Sequence, residues 1–216
     1  MCGRYAMYTH PTRVRDFFHI RGPLPNFEAR YNIAPTQTAP VIVQRSEGRH
    51  LELKSWGLVP AWSKDGKSAY ATFNARAETL REKPTFRDAF RKRRCVVPAD
   101  GFYEWTGQKG DKTPHFFQRA DGGLLALAGL HETWQGKDGE AIYSFTIVVT
   151  AANLWMSAYH DRMPVILADA DLDAWLGGPP EVVATMMTAP PEDALTERVV
   201  GKAVGYVRNE GPELLA

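Results

Sequence analysis

The chain has 216 residues, of which 44% are hydrophobic, 24% charged and 11% aromatic. These proportions exclude a disordered, collagenous or coiled-coil chain. No stretch approaches the ~18 uninterrupted apolar residues of a membrane span, the opening residues lack the apolar core of a signal peptide, and the two cysteines make no disulfide framework. A soluble cytoplasmic protein is expected. The formal net charge of +1 hides an asymmetry: residues 1–108 hold 18 Lys and Arg against 10 Asp and Glu, whereas residues 109–216 hold 8 against 15. A basic half suits a polyanionic partner, unless the fold interleaves the two halves and cancels the difference.

In chain order, residues 11–20 read as a short helix with Thr9 as N-cap and Val14, Phe17 and Phe18 on one face. Residues 39–44 and 50–56 are strand-like about a Glu47-Gly48 turn. Residues 64–67 form a polar loop, and 85–93 a helix with Phe86 and Phe90 four residues apart. Strand signals then dominate at 95–97, 102–105, 115–119, 124–130 and 143–150, short runs of β-branched and aromatic residues parted by Gly, Asp and Lys. Residues 163–167 suggest another strand, and 169–176 a helix capped by Asp169. There is no internal repeat, no long linker and no βαβ alternation. The expected fold is α+β, a mainly antiparallel, curved or barrel-like sheet with short flanking helices, in a single domain spanning 1–216.

Cys2 is the first residue with chemistry to offer. A small residue at position 2 permits removal of the initiator Met1, which would leave an amine and a thiol on adjacent carbons, with reference pKa values of about 7.7–8.0 and about 8.5. An aldehyde meeting this pair forms an imine with the amine. The thiol then closes a five-membered thiazolidine, a step favoured by its intramolecularity. By position alone Cys2 reads more often as an incidental second codon, and a rival functional reading is the nucleophile of an N-terminal hydrolase. Cys95, inside an apolar run, reads as an inert core thiol. The six histidines are scattered and no CxxC occurs, so no metal site is expected. Phosphate-loop, GxGxxG and GxSxG patterns are absent as well.

Other residues are individually ambiguous. Glu104, between aromatic residues in Gly101-Phe102-Tyr103-Glu104-Trp105, would gain a raised pKa in a cleft and suit proton transfer, or else face water at a strand end. His160 stands where a turn meets an apolar strand and reads as an acid–base group or a structural histidine; Arg162 beside it could hold a phosphate. Asn74 follows the aromatic positions Tyr70 and Phe73 and reads as an oxygen-orienting amide or as turn chemistry. Arg87, Arg91, Lys92, Arg93 and Arg94 form a basic run that also suits a helix C-terminus. Trp56, Trp62 and Trp105 are stacking or core residues.

Together the segments are specific. Met1-Cys2-Gly3-Arg4-Tyr5, Tyr31-Asn32-Ile33-Ala34-Pro35-Thr36, Trp56-Gly57-Leu58-Val59-Pro60-Ala61-Trp62, Phe73-Asn74-Ala75-Arg76-Ala77-Glu78-Thr79, 94–105, Thr150-Ala151-Ala152-Asn153 and His160-Asp161-Arg162-Met163-Pro164 occur in that order. In this the chain closely resembles the SOS response-associated peptidase family of abasic-site processing proteins. The resemblance implies binding of single-stranded DNA and a covalent thiazolidine crosslink between abasic sites and Cys2, after loss of Met1. It implies that Asn74 orients the sugar and the cysteine amine, that Glu104 shuttles protons, and that His160 assists opening of the deoxyribose ring and supports reversal. It further implies that Arg4, Arg76 and Arg162 contact the DNA backbone and that Trp56 and Trp62 contact or wedge bases. A monomer acting on single-stranded DNA with abasic sites is expected, without cofactor, metal or membrane, in the bacterial cytoplasm and associated with the nucleoid during repair. Two alternatives remain. One is a cysteine-type N-terminal-nucleophile peptidase, built from Cys2, Asn74 and His160. The other is a non-covalent single-strand DNA-binding module.

Overall fold

The computed structural model describes residues 2–68 and 71–216. Met1 and Tyr70 lie outside the described residues. In chain order the elements are β1 (Tyr5–Met7), α1 (Pro11–Phe18), β2 (Arg30–Ile33), β3 (Thr38–Arg45), β4 (Gly48–Trp56), β5 (Asn74–Arg76), α2 (Arg87–Lys92), β6 (Arg94–Ala99), β7 (Gly101–Gln108), β8 (Asp111–Arg119), β9 (Leu125–Gln135), β10 (Ala141–Ala151), β11 (Arg162–Pro164), α3 (Leu172–Gly177), α4 (Pro180–Ala184) and β12 (Leu195–Val199). The Val207-Arg208-Asn209 segment lies beyond the last strand.

Strands β10, β4, β3, β6 and β9 close into a five-stranded barrel, since β9 returns to pair with β10. The second sheet runs β12-β8-β7-β1-β2. Most pairings are antiparallel, as the sequence predicts, but β10 runs parallel to both β4 and β5. Tyr5, Met7, Phe102, Phe117 and Leu195 from the open sheet share one buried core with Val41, Val97, Leu127 and Ile147 of the barrel. The other face of the open sheet carries Ala6, Tyr103 and Phe116, covered by Val200 and Val204 of the C-terminal segment. Because β9 and β10 come from the acidic half of the chain and β3, β4 and β6 from the basic half, the charge asymmetry in sequence does not separate into two bodies.

Two predicted caps differ. His10, not Thr9, caps α1 by accepting the Thr12 N–H on Nδ1; the Thr9 hydroxyl is taken by Asp100, whose other carboxylate oxygen accepts the N–H groups of Tyr8 and Thr9. Asp169 does not cap α3, which starts three residues later, because its carboxylate pairs with Arg119. In the basic run, Arg94 is buried and donates to the carbonyls of Trp175, Phe90 and Gly178, and Arg93 pairs with Glu132. These two cations serve packing.

At the start of β7 the backbone of Gly101 passes close to β8. A Cβ there would sit 2.3 Å from the ring of Phe116 and 2.4 Å from the carbonyl oxygen of Phe117. Ring and backbone cannot both withdraw, so Gly101→Ala is expected to lower unfolding free energy by about 2 kcal/mol, read as a lower urea midpoint with an unchanged slope. An unchanged midpoint would show that β7 and β8 separate freely.

Candidate active site

The site forms where the barrel opens. Along one edge of β10, β4 pairs at Ser144 and Phe145, and β5 takes over from Ile147 to Val149. Along the other, β9 leaves at Gly129 and β11 pairs with Val149 to Ala151. Asn74 opens β5 and His160 sits two residues ahead of Arg162, the first of β11, so β10 presents both on one lip. The open sheet supplies the other lip. Tyr5 of β1 lies opposite Phe102 of β7, and Glu104, two residues further along β7, stands close enough for its charge to act on the Cys2 thiol.

Asn74 joins the lips: its Nδ2 donates to the carbonyl oxygen of Cys2 at 2.8 Å. Its Oδ1 is buried and has no hydrogen-bond partner among the described residues, so one acceptor faces the site unused. Trp56 supports this tie from beneath. It is fully buried, packs edge-on against Tyr5 at 5.1 Å, and donates its indole N–H to the carbonyl of Phe73 at 2.7 Å. One ring therefore steadies the segments carrying both Cys2 and Asn74.

The electrostatics separate the roles open to each group. Cys2 is fully buried, and burial, aided by the charge of Glu104, pushes its thiol well above the usual range. The thiol is therefore protonated at rest. Burial pushes the carboxyl of Glu104 up to about 7, with Asp161 adding to the rise and Lys112 opposing it, so near neutral pH it both gives and takes a proton. Burial lowers the pKa of His160, leaving its ring neutral near pH 7. The neutral ring accepts the N–H of Arg162 on Nδ1 at 2.9 Å, which assigns the proton to Nε2. Asp161 Oδ1 lies 2.8 Å from the same Nδ1 and becomes its partner once the ring is charged. Among the described residues, no three His, Cys, Asp or Glu side chains gather as a metal site.

This fold and this set of motifs have relatives. The sequence profile described as SOS response associated peptidase (SRAP) matches residues 1–207. The chain belongs to that family. The abasic site processing protein YoqW of Bacillus subtilis is 36% identical over 100% of this chain and 99% of its own length. The abasic site processing protein HMCES of Xenopus tropicalis is 31% identical over 100% of this chain and 78% of its own. A crystal structure of a protein from Bordetella bronchiseptica superposes with a TM-score of 0.81 at 29% identity, covering 93% of this chain and 100% of that one. A Bacteroides thetaiotaomicron protein shares the fold at a TM-score of 0.87 and 23% identity, covering 99% of this chain and 98% of that one.

Around the centre of this SRAP site the predicted DNA contacts divide. Arg76, the last residue of β5, is exposed and has no ion pair among the described residues. Arg162 is paired with Glu78, which stands in the same motif as Asn74 and Arg76 and which the sequence alone does not single out. Trp62 is 62% exposed. Arg4 and Trp56 differ from expectation. Arg4 stacks over Trp105 on the far face of β7 and donates to Asn32 Oδ1 and the Val204 carbonyl, at 2.6 and 2.7 Å. Trp56 has no surface to offer a base. Both hold the scaffold.

The buried carboxyl has a thermodynamic signature. Between about 4.5, the ordinary value, and about 7 the folded Glu104 keeps a proton that the unfolded chain has lost, so stability falls as pH rises through this window and is flat above it. Glu104→Gln removes that loss. The variant is expected to gain on the wild type by up to about 3 kcal/mol between about pH 5 and about pH 8 in urea unfolding. Parallel pH profiles would show that Glu104 is an ordinary solvated carboxylate.

Proposed function

We propose that this chain binds single-stranded DNA and captures the aldehyde of an abasic site through Cys2, after loss of Met1, as a thiazolidine. The observation that carries this reading is a carboxyl group with a pKa of about 7 acting electrostatically on a buried cysteine whose carbonyl is held by Asn74. The naming of the relatives as abasic site processing proteins supports it independently.

The open-chain sugar presents an aldehyde carbon. The Cys2 amine adds to it, giving a carbinolamine. Glu104, as the acid, gives a proton to the departing hydroxyl, which leaves as water, and an iminium forms. The Cys2 thiol then adds to that carbon, and Glu104, now a carboxylate, takes the sulfur proton. The product equals protein plus DNA minus one water. The open Oδ1 of Asn74 suits an amine or sugar hydroxyl donor, and the Nε2–H of His160 suits the ring oxygen of the closed sugar as it opens. Arg76, Arg162 and Trp62 offer phosphate and base contacts, with phosphate displacing Glu78 from Arg162.

The buried thiol also weighs the peptidase alternative. Hydrolysis starts from a thiolate, which this environment disfavours. Aldehyde capture starts from the amine, and the iminium is a strong enough electrophile to take the thiol as its proton leaves.

The test is intact mass before and after incubation with a single-stranded oligonucleotide carrying one abasic site. The expected result is a start at Cys2 and a denaturation-stable adduct lighter by one water than its parts. Cys2→Ala is expected to bind the oligonucleotide and give no adduct. Glu104→Gln and His160→Ala are expected to slow adduct formation on the order of 10²-fold while salt-sensitive binding persists. An adduct from Cys2→Ala, or binding lost in step with adduct in the other two, sinks the assignment.

A further inference from the structure

Outside the residues so far placed at the centre, the open sheet carries a second polar cluster against the same lip. Glu104 and His115 lie directly opposite on β7 and β8, so their side chains share the face turned toward the site. On the next strand Glu197 lies opposite Phe117 and so occupies that face one diagonal from His115. The His115 ring is 8% exposed and used at both nitrogens: Nε2 meets the Thr106 hydroxyl at 2.7 Å, and Nδ1 meets the Glu197 carboxylate. The carboxylate only accepts, so Nδ1 carries the proton there.

Beyond the effect of burial, the Glu197 carboxylate also acts on the hydroxyl of Tyr159 and raises its pKa. The ring of Tyr159 packs edge-on against His115 at 5.0 Å, Phe117 at 5.1 Å and Trp155 at 5.7 Å. Tyr159 directly precedes His160. The segment 156–160 has one tight turn of its own, with the His160 N–H bonded to the Met156 carbonyl. The polar and aromatic contacts of Tyr159 join that turn to the open sheet.

Resting on the reading above, we propose that Glu197 and His115 are positioning residues for the reaction. Through Tyr159 they set the pose of His160 relative to Glu104, which stands on the same sheet. The acid–base group on the barrel lip and the one on the sheet are thereby held in one frame, and β12, remote in sequence from Cys2, Asn74 and Glu104, contributes to the chemistry without touching the sugar.

The test compares Glu197→Ala, Glu197→Gln and Tyr159→Phe, each alone and with His160→Ala. The readouts are the adduct rate at saturating abasic-site oligonucleotide, the half-saturating concentration, the urea midpoint, and the His160 ring signals in DNA-free protein labelled with ¹⁵N-histidine. Glu197→Ala and Tyr159→Phe are expected to slow the maximal rate about tenfold or more, to leave half-saturation unchanged and to shift or broaden the His160 signals. Glu197→Gln, whose amide oxygen can still accept from His115 Nδ1, is expected to recover part of the rate. In the His160→Ala background neither variant should slow the reaction further. Equal slowing in that background, or an unchanged rate with unchanged ring signals, overturns the inference. Should Glu197→Ala fail to fold, Tyr159→Phe, which removes one oxygen, decides alone. A wild type that forms no adduct overturns the abasic-site reading instead. The His160 signals then judge the positioning by themselves, and their constancy in both variants overturns it.

Discussion

Because Ile147 to Val149 of β10 bond β5 on one edge while Val149 to Ala151 bond β11, a single strand fixes where Asn74 and His160 begin. A barrel closed along its whole length would have no place for either, since β4 and β9 would occupy both edges. The departure of β9 at Gly129 is therefore a structural requirement of the site. The glycine itself marks how tightly the barrel is drawn there: a Cβ would meet the sulfur of Cys95 at 2.8 Å and the Thr146 carbonyl at 3.1 Å. Close packing in the barrel wall and opening at its lip are two aspects of the same crossing.

The opposite lip obeys a different constraint. The leading residues of a chain are ordinarily the least ordered, yet Cys2 is fully buried and held in place. β1 contributes only three residues to the sheet, too few to hold a terminus by pairing alone. The Asn74–Cys2 hydrogen bond and the Trp56 ring supply the rest. Arg4 adds a tie in the other direction, bonding the Val204 carbonyl and so linking the start of the chain to its last turns.

Much of this was legible in the sequence because it is local. Alternating apolar runs mark β3, β4 and β7 to β10, and Glu47-Gly48 marks a turn. The ordered motifs name Cys2, Asn74, Glu104 and His160. The parallel pairing of β10 with β4 and β5 was not legible, because strand direction across a barrel leaves no trace in periodicity. The caps went to His10 rather than Thr9, and Asp169 went to Arg119, since a short polar side chain serves whichever partner tertiary structure brings near. Arg4 and Trp56 carry the same letters whether they face a phosphate or a core. Only the backbone decides that β7 turns Arg4 toward Trp105 and away from Glu104. Glu78 escaped notice for a related reason: its meaning depends on Arg162, 84 residues away.

The complete burial of Cys2 orders events in time. Residue 2 is made well before the strands around it: β5, β7 and the β10 strand that bonds β5 are complete only as translation passes residue 151. Until then Cys2 is open to solvent, and afterwards it is enclosed. The packing that buries Cys2 is therefore completed by strands made long after it.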